Sequence, residues 1–172
     1  MFITLQELEL HRVKVSKTYP PGALDFQEVK FRQAGPLVVN AEAELAGKEI
    51  RVRGRISGAV EAACDRCLEQ TRIPVELDFD LPYRPMEEIA REEEAEVEED
   101  ELAVGFFSGD GVNLADLVRE QVLLSLPMKI VCRPDCRGLC PVCGVDRNVK
   151  ECGCSLQREN SPFALLKKNQ VR

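Results

Sequence analysis

Eight cysteines are the side chains of this chain best suited to chemistry, and six of them lie between positions 132 and 154. Thiolates bind metal ions, form disulfides or act as redox couples, and each use implies a different kind of protein. With 172 residues the chain is long enough to bury an apolar core without disulfides. The opening residues MFITLQELELHRVKVSK hold no long apolar run, so we expect no signal peptide, no membrane span and a cytoplasmic location. In that reducing compartment, closely spaced cysteines favour metal over disulfides.

The stretch GLCPVCG, which contains Cys140 and Cys143, is typical of a zinc knuckle. Two thiolates three residues apart on a tight turn converge on one ion, and the following glycine suits the positive φ of such a turn. A tetrahedral site needs two further thiolates, and the sequence does not choose them. Four of six cysteines are therefore expected to bind one Zn²⁺, the candidates being Cys132, Cys136, Cys140, Cys143, Cys152 and Cys154.

Cys64 and Cys67, in CDRCLE, repeat the same spacing far from the other six. They are either a reduced pair without a ligand or half of a second metal site completed by the remaining C-terminal thiols. A redox pair is less favoured, because thioredoxin-like chemistry needs the pair at a helix N-terminus and the flanks here are strand-like. An iron–sulfur cluster is a further alternative. We expect one zinc ion per chain, or two if this pair also binds.

No catalytic constellation is visible elsewhere in the sequence. The one histidine, His11, has no identifiable partner, and the chain contains no phosphate-binding glycine loop, HExxH or GxSxG motif. A site with four protein thiolates is closed, which leaves no position for an activated water. We therefore predict a structural metal in a protein that is not an enzyme, and we identify no small-molecule substrate.

Three runs of alternating apolar residues predict the elements that position the first CxxC. They cover residues 37–45, 50–62 and 73–81, and they are joined by short turns, with CDRC between the second and third. Three consecutive antiparallel strands follow. Gly54 and Gly58 inside the second run predict a bulge or a strong bend, as in a curled sheet or open barrel.

The second half of the chain divides into an acidic stretch, a helix and the cysteine loops. Residues 87–101 carry ten acidic groups against one arginine, which predicts a solvated linker over 87–104. NLADLVREQVLLSLP predicts a helix capped by Asn113, stopped by Pro127, with an apolar stripe of Leu114, Leu117, Val118, Val122 and Leu124. SPFALLKK predicts a C-terminal helix that begins at Ser161.

The basic residues allow two interpretations. In the second predicted strand Arg51, Arg53 and Arg55 form a positive stripe suited to phosphate, but Glu42 and Glu44 fall opposite in the hairpin, so cross-strand ion pairs are the alternative. Further arginines and a lysine surround the cysteine groups, where small zinc modules often present basic side chains to RNA or protein. The complete set of candidate nucleic-acid contacts is Arg51, Arg53, Arg55, Arg66, Arg72, Arg133, Arg137, Arg147 and Lys150.

The order of the motifs resembles the YceD family of large ribosomal RNA subunit accumulation proteins. CDRCLE, DLVREQVLLSLP, CRGLCPVCGVDRN, CGC and SPFALLKK follow one another as in that family, over roughly residues 37–168 apart from the acidic insert. The resemblance implies a non-enzymatic factor of bacteria or plastids that is needed for normal levels of large-subunit ribosomal RNA. It also implies a metal- and nucleic-acid-binding protein.

These observations predict an α+β fold with a curled antiparallel sheet or open barrel, one or two packed helices and a C-terminal zinc-binding loop module. Residues 1–86 form a mainly antiparallel β region, and 105–172 pack with it as one compact domain. The expected partner is large-subunit ribosomal RNA or an assembling ribosomal protein. Two other functions use the same residues: a thiol redox or iron–sulfur protein, and an adaptor whose acidic segment docks basic ribosomal proteins.

Overall fold

A computed structural model describes residues 1–26, 30–86 and 104–154. The strands and helices follow in this order: β1 Phe2–Thr4, α1 Leu5–Leu10, β2 Val13–Tyr19, β3 Phe31–Gln33, β4 Leu37–Ala46, β5 Glu49–Ala63, β6 Gln70–Pro85, β7 Gly105–Phe107, β8 Gly111–Asn113 and α2 Leu114–Ser125. Neither helix in these ranges is long and apolar enough to span a membrane. The predicted C-terminal helix, and the acidic linker apart from Val104, lie outside the described residues.

The sheet confirms the predicted α+β class and the run of three antiparallel strands. β4, β5 and β6 pair in sequence order, with β2 beside β4 and β7 parallel to the end of β6. One edge of β5 pairs first with β4 and then, near Ala62, with β3. A 15-residue strand that changes partners along one edge belongs to a curled sheet, and this sheet stays open. β1 and β8 form a separate two-stranded ribbon.

The two glycines of β5 mark close approaches between strands. The register of β5 runs without interruption against both β4 and β6, so the strand holds no inserted residue. A Cβ at Gly54 would lie 2.3 Å from the Asn40 carbonyl oxygen, and one at Gly58 would lie 2.5 Å from Leu37. Both positions therefore exclude larger side chains because atoms of the adjacent strand β4 lie this close.

The core lies between the inner face of the sheet and α2. The inward positions predicted for β5, from Ile50 to Ala62, are buried as expected. α2 begins after Asn113, whose side chain accepts a hydrogen bond from the Ala115 N–H, and it covers the sheet with four of its five predicted apolar residues. The fifth, Leu124, is 71% exposed. The prediction for Leu124 was wrong because this residue lies at the edge of the stripe, in the last turn of the helix.

Sequence reasoning missed α1, a helix of six residues. Its signal is a capping box: the Thr4 side chain accepts from the Glu7 N–H, and the Glu7 carboxylate accepts from the Thr4 N–H. Of the stretch FITL, Phe2–Thr4 form β1 and Leu5 begins the helix. The capping box favours a helix start at this point because it satisfies two backbone donors that a short strand would leave exposed.

Candidate metal centre

The structure divides the eight cysteines into two groups of four. Within each group the sulfur atoms all lie within 4.8 Å of one another. Site A is the group that joins the β5–β6 connection to the loop after α2, and site B is contained within the last fifteen described residues. Site A consists of Cys64, Cys67, Cys132 and Cys136, and site B of Cys140, Cys143, Cys152 and Cys154.

The sulfur distances of site A fit a single tetrahedral ion. The sulfur atoms of Cys64 and Cys136 are 3.9 Å apart, and those of Cys67 and Cys132 are 3.6 Å apart. Four sulfurs at about 2.3 Å from one Zn²⁺ define a tetrahedron with edges of about 3.8 Å. The donor set and its spacing therefore suit zinc, and all eight cysteines are free thiols in this structure.

Both CxxC turns are built by the same pair of hydrogen bonds. In site A the Leu68 N–H donates to the Cys64 carbonyl at 2.9 Å, and the Cys64 N–H donates to Glu69 at 2.8 Å. In site B the equivalent bonds run from Gly144 to Cys140 and from Cys140 to Val145, each at 2.8 Å. The first turn is thus a knuckle as well, although its sequence CDRCLE lacks the glycine that identified the second.

Asp65 and Arg66, the two residues inside the first CxxC, hold the distant segment of site A in place. The Asp65 N–H donates to the Ile130 carbonyl at 2.8 Å, and the Asp65 carboxylate accepts from the Ile130 N–H at 2.7 Å. The Arg66 guanidinium donates to the Cys136 carbonyl at 2.8 Å. Hydrogen bonds to the backbone of Ile130 and Cys136 therefore hold the second segment of site A against the β5–β6 connection, in addition to its thiols.

Site A is enclosed and site B is open to solvent. Cys64, Cys67 and Cys136 are buried and, with the partly buried Val131 and Cys132, form a small cluster separate from the main core. The side chain of Asn148, from the site B loop, donates to the Cys136 sulfur at 3.4 Å. In site B, by contrast, two of the four cysteines are exposed. An ion in site A would thus be shielded from solvent on more sides than an ion in site B.

The surroundings of the thiols favour one thiolate in each site before any metal binds. Burial raises the pKa of Cys64, but the N–H groups of Cys132 and Arg66 outweigh it and lower that pKa to about 6. In site B the N–H groups of Cys143 and Val142 lower the pKa of Cys140 to about 6. Burial raises the pKa of Cys132, and the neighbouring Cys143 raises that of Cys154 to about 12. A divalent cation would supply the positive charge that allows the remaining thiols of each site to ionise.

The predicted arginine stripe on β5 is engaged in ion pairs between strands. Arg51 and Arg55 each make two hydrogen bonds of 2.7 Å, to the carboxylates of Asp80 and Asp78 on β6. Arg53 contacts Glu44 on β4 at 2.8 Å. The hydrogen bond from Arg55 accordingly lowers the pKa of Asp78. The alternative that the sequence offered was ion pairing with Glu42 and Glu44, and among these three arginines the described contacts match it at Arg53 alone. Phosphate binding by the stripe stays a prediction.

The other candidate basic residues fall into two groups. Arg66, Arg133 and Arg137 contact backbone or carboxylate groups of the loop that holds site A and site B. For Arg72, Arg147 and Lys150 the described part of the chain shows no ion pair. The sequence thus located basic residues around the cysteines, but it did not distinguish those that hold the loop from those without an ion pair among the described residues.

Leu68 has a left-handed backbone, with φ of 64°, and it is the one residue other than glycine that does so in the described ranges. Its side chain is 63% exposed, so little packing offsets a conformational cost of about 1–2 kcal/mol. We expect Leu68→Gly to stabilise the protein by roughly 0.5–1 kcal/mol, after the greater freedom of glycine in the unfolded chain is subtracted. Thermal unfolding measures this gain. The control Leu68→Ala removes the same side chain without relieving the backbone, and equal stability of the two variants would contradict the interpretation.

Comparison with known proteins adds a family and several relatives. A profile described as large ribosomal RNA subunit accumulation protein YceD matches residues 52–168, a range that includes all eight cysteines. An uncharacterised protein of Mycobacterium tuberculosis is 29% identical over 141 residues, covering 80% of this chain and 62% of that protein. An uncharacterised protein of Mycobacterium leprae is 26% identical over 137 residues, covering 77% and 59%.

One further relative is a plant protein whose name states a function. The chloroplastic large ribosomal RNA subunit accumulation protein YCED homolog 1 of Arabidopsis thaliana is 21% identical over 197 residues, covering 95% of this chain and 59% of that protein. This chain therefore spans about three-fifths of the length of these curated relatives. No solved structure matches it. Because the family profile covers about two-thirds of the sequence, the chain belongs to the YceD family of large ribosomal RNA subunit accumulation proteins.

Proposed function

We propose that this protein is a non-enzymatic ribosome biogenesis factor that supports the accumulation of large-subunit ribosomal RNA. It acts by binding that RNA or an assembling ribosomal protein, and it folds around structural zinc ions. The observation that carries the role is the family match over residues 52–168. The name of the Arabidopsis relative states the same role for that protein and places it in the chloroplast. A cytoplasmic location for this chain stays a prediction.

The arrangement of the two sites supports a structural role for zinc. Among the described residues each site groups four thiols with no other His, Asp or Glu ligand atom, so a bound ion would have a closed coordination sphere. Site A connects residues 64–67 with residues 132–136, and it would therefore close a long excursion of the chain through β6 and α2. Residues 140–154, which contain site B, have few apolar side chains to form a core. An ion in site B would give this loop a centre. Zinc at both sites contributes to folding directly.

A thiol redox or iron–sulfur protein is the alternative with the same cysteines. The sulfur separations of 3.6 and 3.9 Å favour one ion at the centre of site A over a cluster of several irons, because a cluster would hold its ligands further apart. The spectrum separates the cases, since zinc–thiolate centres are colourless and iron–sulfur centres absorb visible light. The purified protein is expected to be colourless.

An adaptor that binds basic ribosomal proteins through its acidic segment is a third possibility. Residues 87–101 carry that charge and lie outside the described residues. Deleting these residues distinguishes the two cases. An adaptor would lose its ribosomal proteins and would show no RNA binding before or after the deletion. The proposed RNA-binding factor would still bind RNA.

Crosslinking in cells, followed by sequencing of the bound RNA and identification of bound proteins, tests the proposed function. We expect large-subunit ribosomal RNA to be enriched over small-subunit RNA, or ribosomal proteins of the large subunit to be recovered. If neither is enriched, and large-subunit RNA accumulates normally in cells that lack the protein, the proposed function is wrong. Enrichment of proteins alone would assign the role to a protein partner.

A further inference from the structure

Positively charged side chains for which the described residues show no ion pair gather at one end of the sheet. Lys30, Arg32, Gln70 and Arg72 lie there, on the outer face beside site A, and we call these four residues the basic end. Arg32 and Arg72 lie on either side of Glu61 in the register of β3, β5 and β6, yet neither comes within ion-pair distance of it in the described structure. The arginines at the centre of the sheet, by contrast, each contact a carboxylate.

The basic end also has the shape of a binding site. Lys30, Arg32 and Gln70 line an open groove of about 440 Å³, together with Leu68 and Ile130. The groove contains one carboxylate, on Asp65, and this group already accepts the hydrogen bond from the Ile130 N–H. Two cationic side chains and one neutral amide are thus directed at a space that can receive an anion.

Both attachments of the acidic segment lie at the other end of β6, after Pro85 and before Gly105, which pairs with Tyr83. Arg72 is thirteen residues from Pro85 along the same strand. A partner from another molecule is therefore the occupant to test.

We propose that the basic end binds the phosphate backbone of RNA, an inference that rests on the proposed function. Guanidinium and ammonium groups pair with phosphate oxygens, and such contacts provide affinity without sequence preference. Arg32 and Arg72 are two strands apart, about 10 Å, so they contact different phosphates. The described residues show no stacked aromatic side chains at this end, which is consistent with recognition of backbone more than of bases.

Removing three charges at the basic end, with a matched removal elsewhere, tests this assignment. The test variant is Lys30→Gln/Arg32→Gln/Arg72→Gln, and the control is Arg12→Gln/Lys14→Gln/Lys17→Gln, in or next to β2, which lowers the net charge equally. Binding to a transcript of large-subunit ribosomal RNA is measured at several salt concentrations. Each phosphate contact makes the slope of log K against log salt more negative by about 0.7, so we expect the slope of the test variant to be less negative by about 2. At 0.1 M salt this corresponds to roughly 100-fold weaker binding.

The control triple variant is expected to bind within about threefold of the unmodified protein. A loss in the control as large as in the test variant, or no loss in either, overturns the assignment while RNA binding by the unmodified protein stands. If the unmodified protein does not bind the transcript, both this assignment and the RNA arm of the proposed function are wrong. Unfolding temperature and zinc content check the fold. If the triple variant unfolds at lower temperature, the single variants Arg32→Gln and Arg72→Gln serve instead, each expected to bind about fivefold more weakly.

Discussion

Replacing Cys64 with serine is expected to remove one of two zinc ions and to release the loop after α2 from the sheet. Cys64 is fully buried, and its sulfur accepts hydrogen bonds from the N–H groups of Arg66 and Cys132. Structural zinc contributes about 10–16 kcal/mol in small zinc-binding peptides, more than the small cluster around site A can replace. The main core shares no cysteine with that cluster, so the sheet should stay folded. Metal analysis and limited trypsin digestion measure both effects.

The matched control for that experiment is Cys143→Ser in site B. Cys143 is exposed, and the cysteines of site B lie close together in the sequence, so this change should also remove one zinc ion but leave site A intact. Trypsin should then cleave after Lys129 only in the Cys64 variant. Protection of this bond in Cys64→Ser, with one zinc ion still lost, would show that site A does not hold the loop.

Gly138→Ala is expected to destabilise the contact between the two knuckles by about 2–3 kcal/mol. Gly138 has φ of 69°, which costs alanine about 1–2 kcal/mol. A Cβ there would also lie 2.7 Å from the Arg66 carbonyl oxygen, which accepts the hydrogen bond from the Leu139 N–H at 2.8 Å. A backbone shift that relieves this clash breaks that hydrogen bond, which adds about 1 kcal/mol to the destabilisation. The loss is measured as a lower unfolding temperature and as faster transfer of zinc to a chelator.

Gly144 provides the comparison for this effect. Its φ is 72°, but a Cβ at this position would meet no atom within 4 Å. Gly144→Ala should therefore show the backbone cost alone, about 1–2 kcal/mol. If both alanine variants lose the same stability, then the approach of Gly138 to Arg66 has no energetic role and the two knuckles are not coupled through it.

The sheet was predictable because alternation with period two reports directly on one buried face. The inward residues of β5 and the placement of Glu42 and Glu44 opposite Arg53 and Arg51 follow from that period and a short turn. The actual ion pairs were less predictable, since long side chains also reach diagonal neighbours: Arg51 contacts Asp80, not Glu44. Register follows from the backbone pattern, whereas side-chain partners depend on rotamers.

The grouping of the cysteines could not be predicted from spacing. Cys132 and Cys136 are nearer in sequence to Cys140 than to Cys64, yet they meet Cys64 in space because Asp65 and Arg66 hold their segment against the hairpin. These clamps are contacts between distant segments and leave no local pattern. The left-handed backbone of Leu68 also leaves no local pattern, because glycine is the residue expected in that conformation.

Metal content per chain is the most direct test of the two-site arrangement. Native mass spectrometry of the protein purified under reducing conditions, together with elemental analysis and a visible spectrum, gives the number and identity of bound ions. The arrangement predicts two zinc ions per chain, a colourless solution, and one ion in each of the Cys64→Ser and Cys143→Ser variants. A metal-free protein with an intact fold, or an iron–sulfur absorption band, would contradict it.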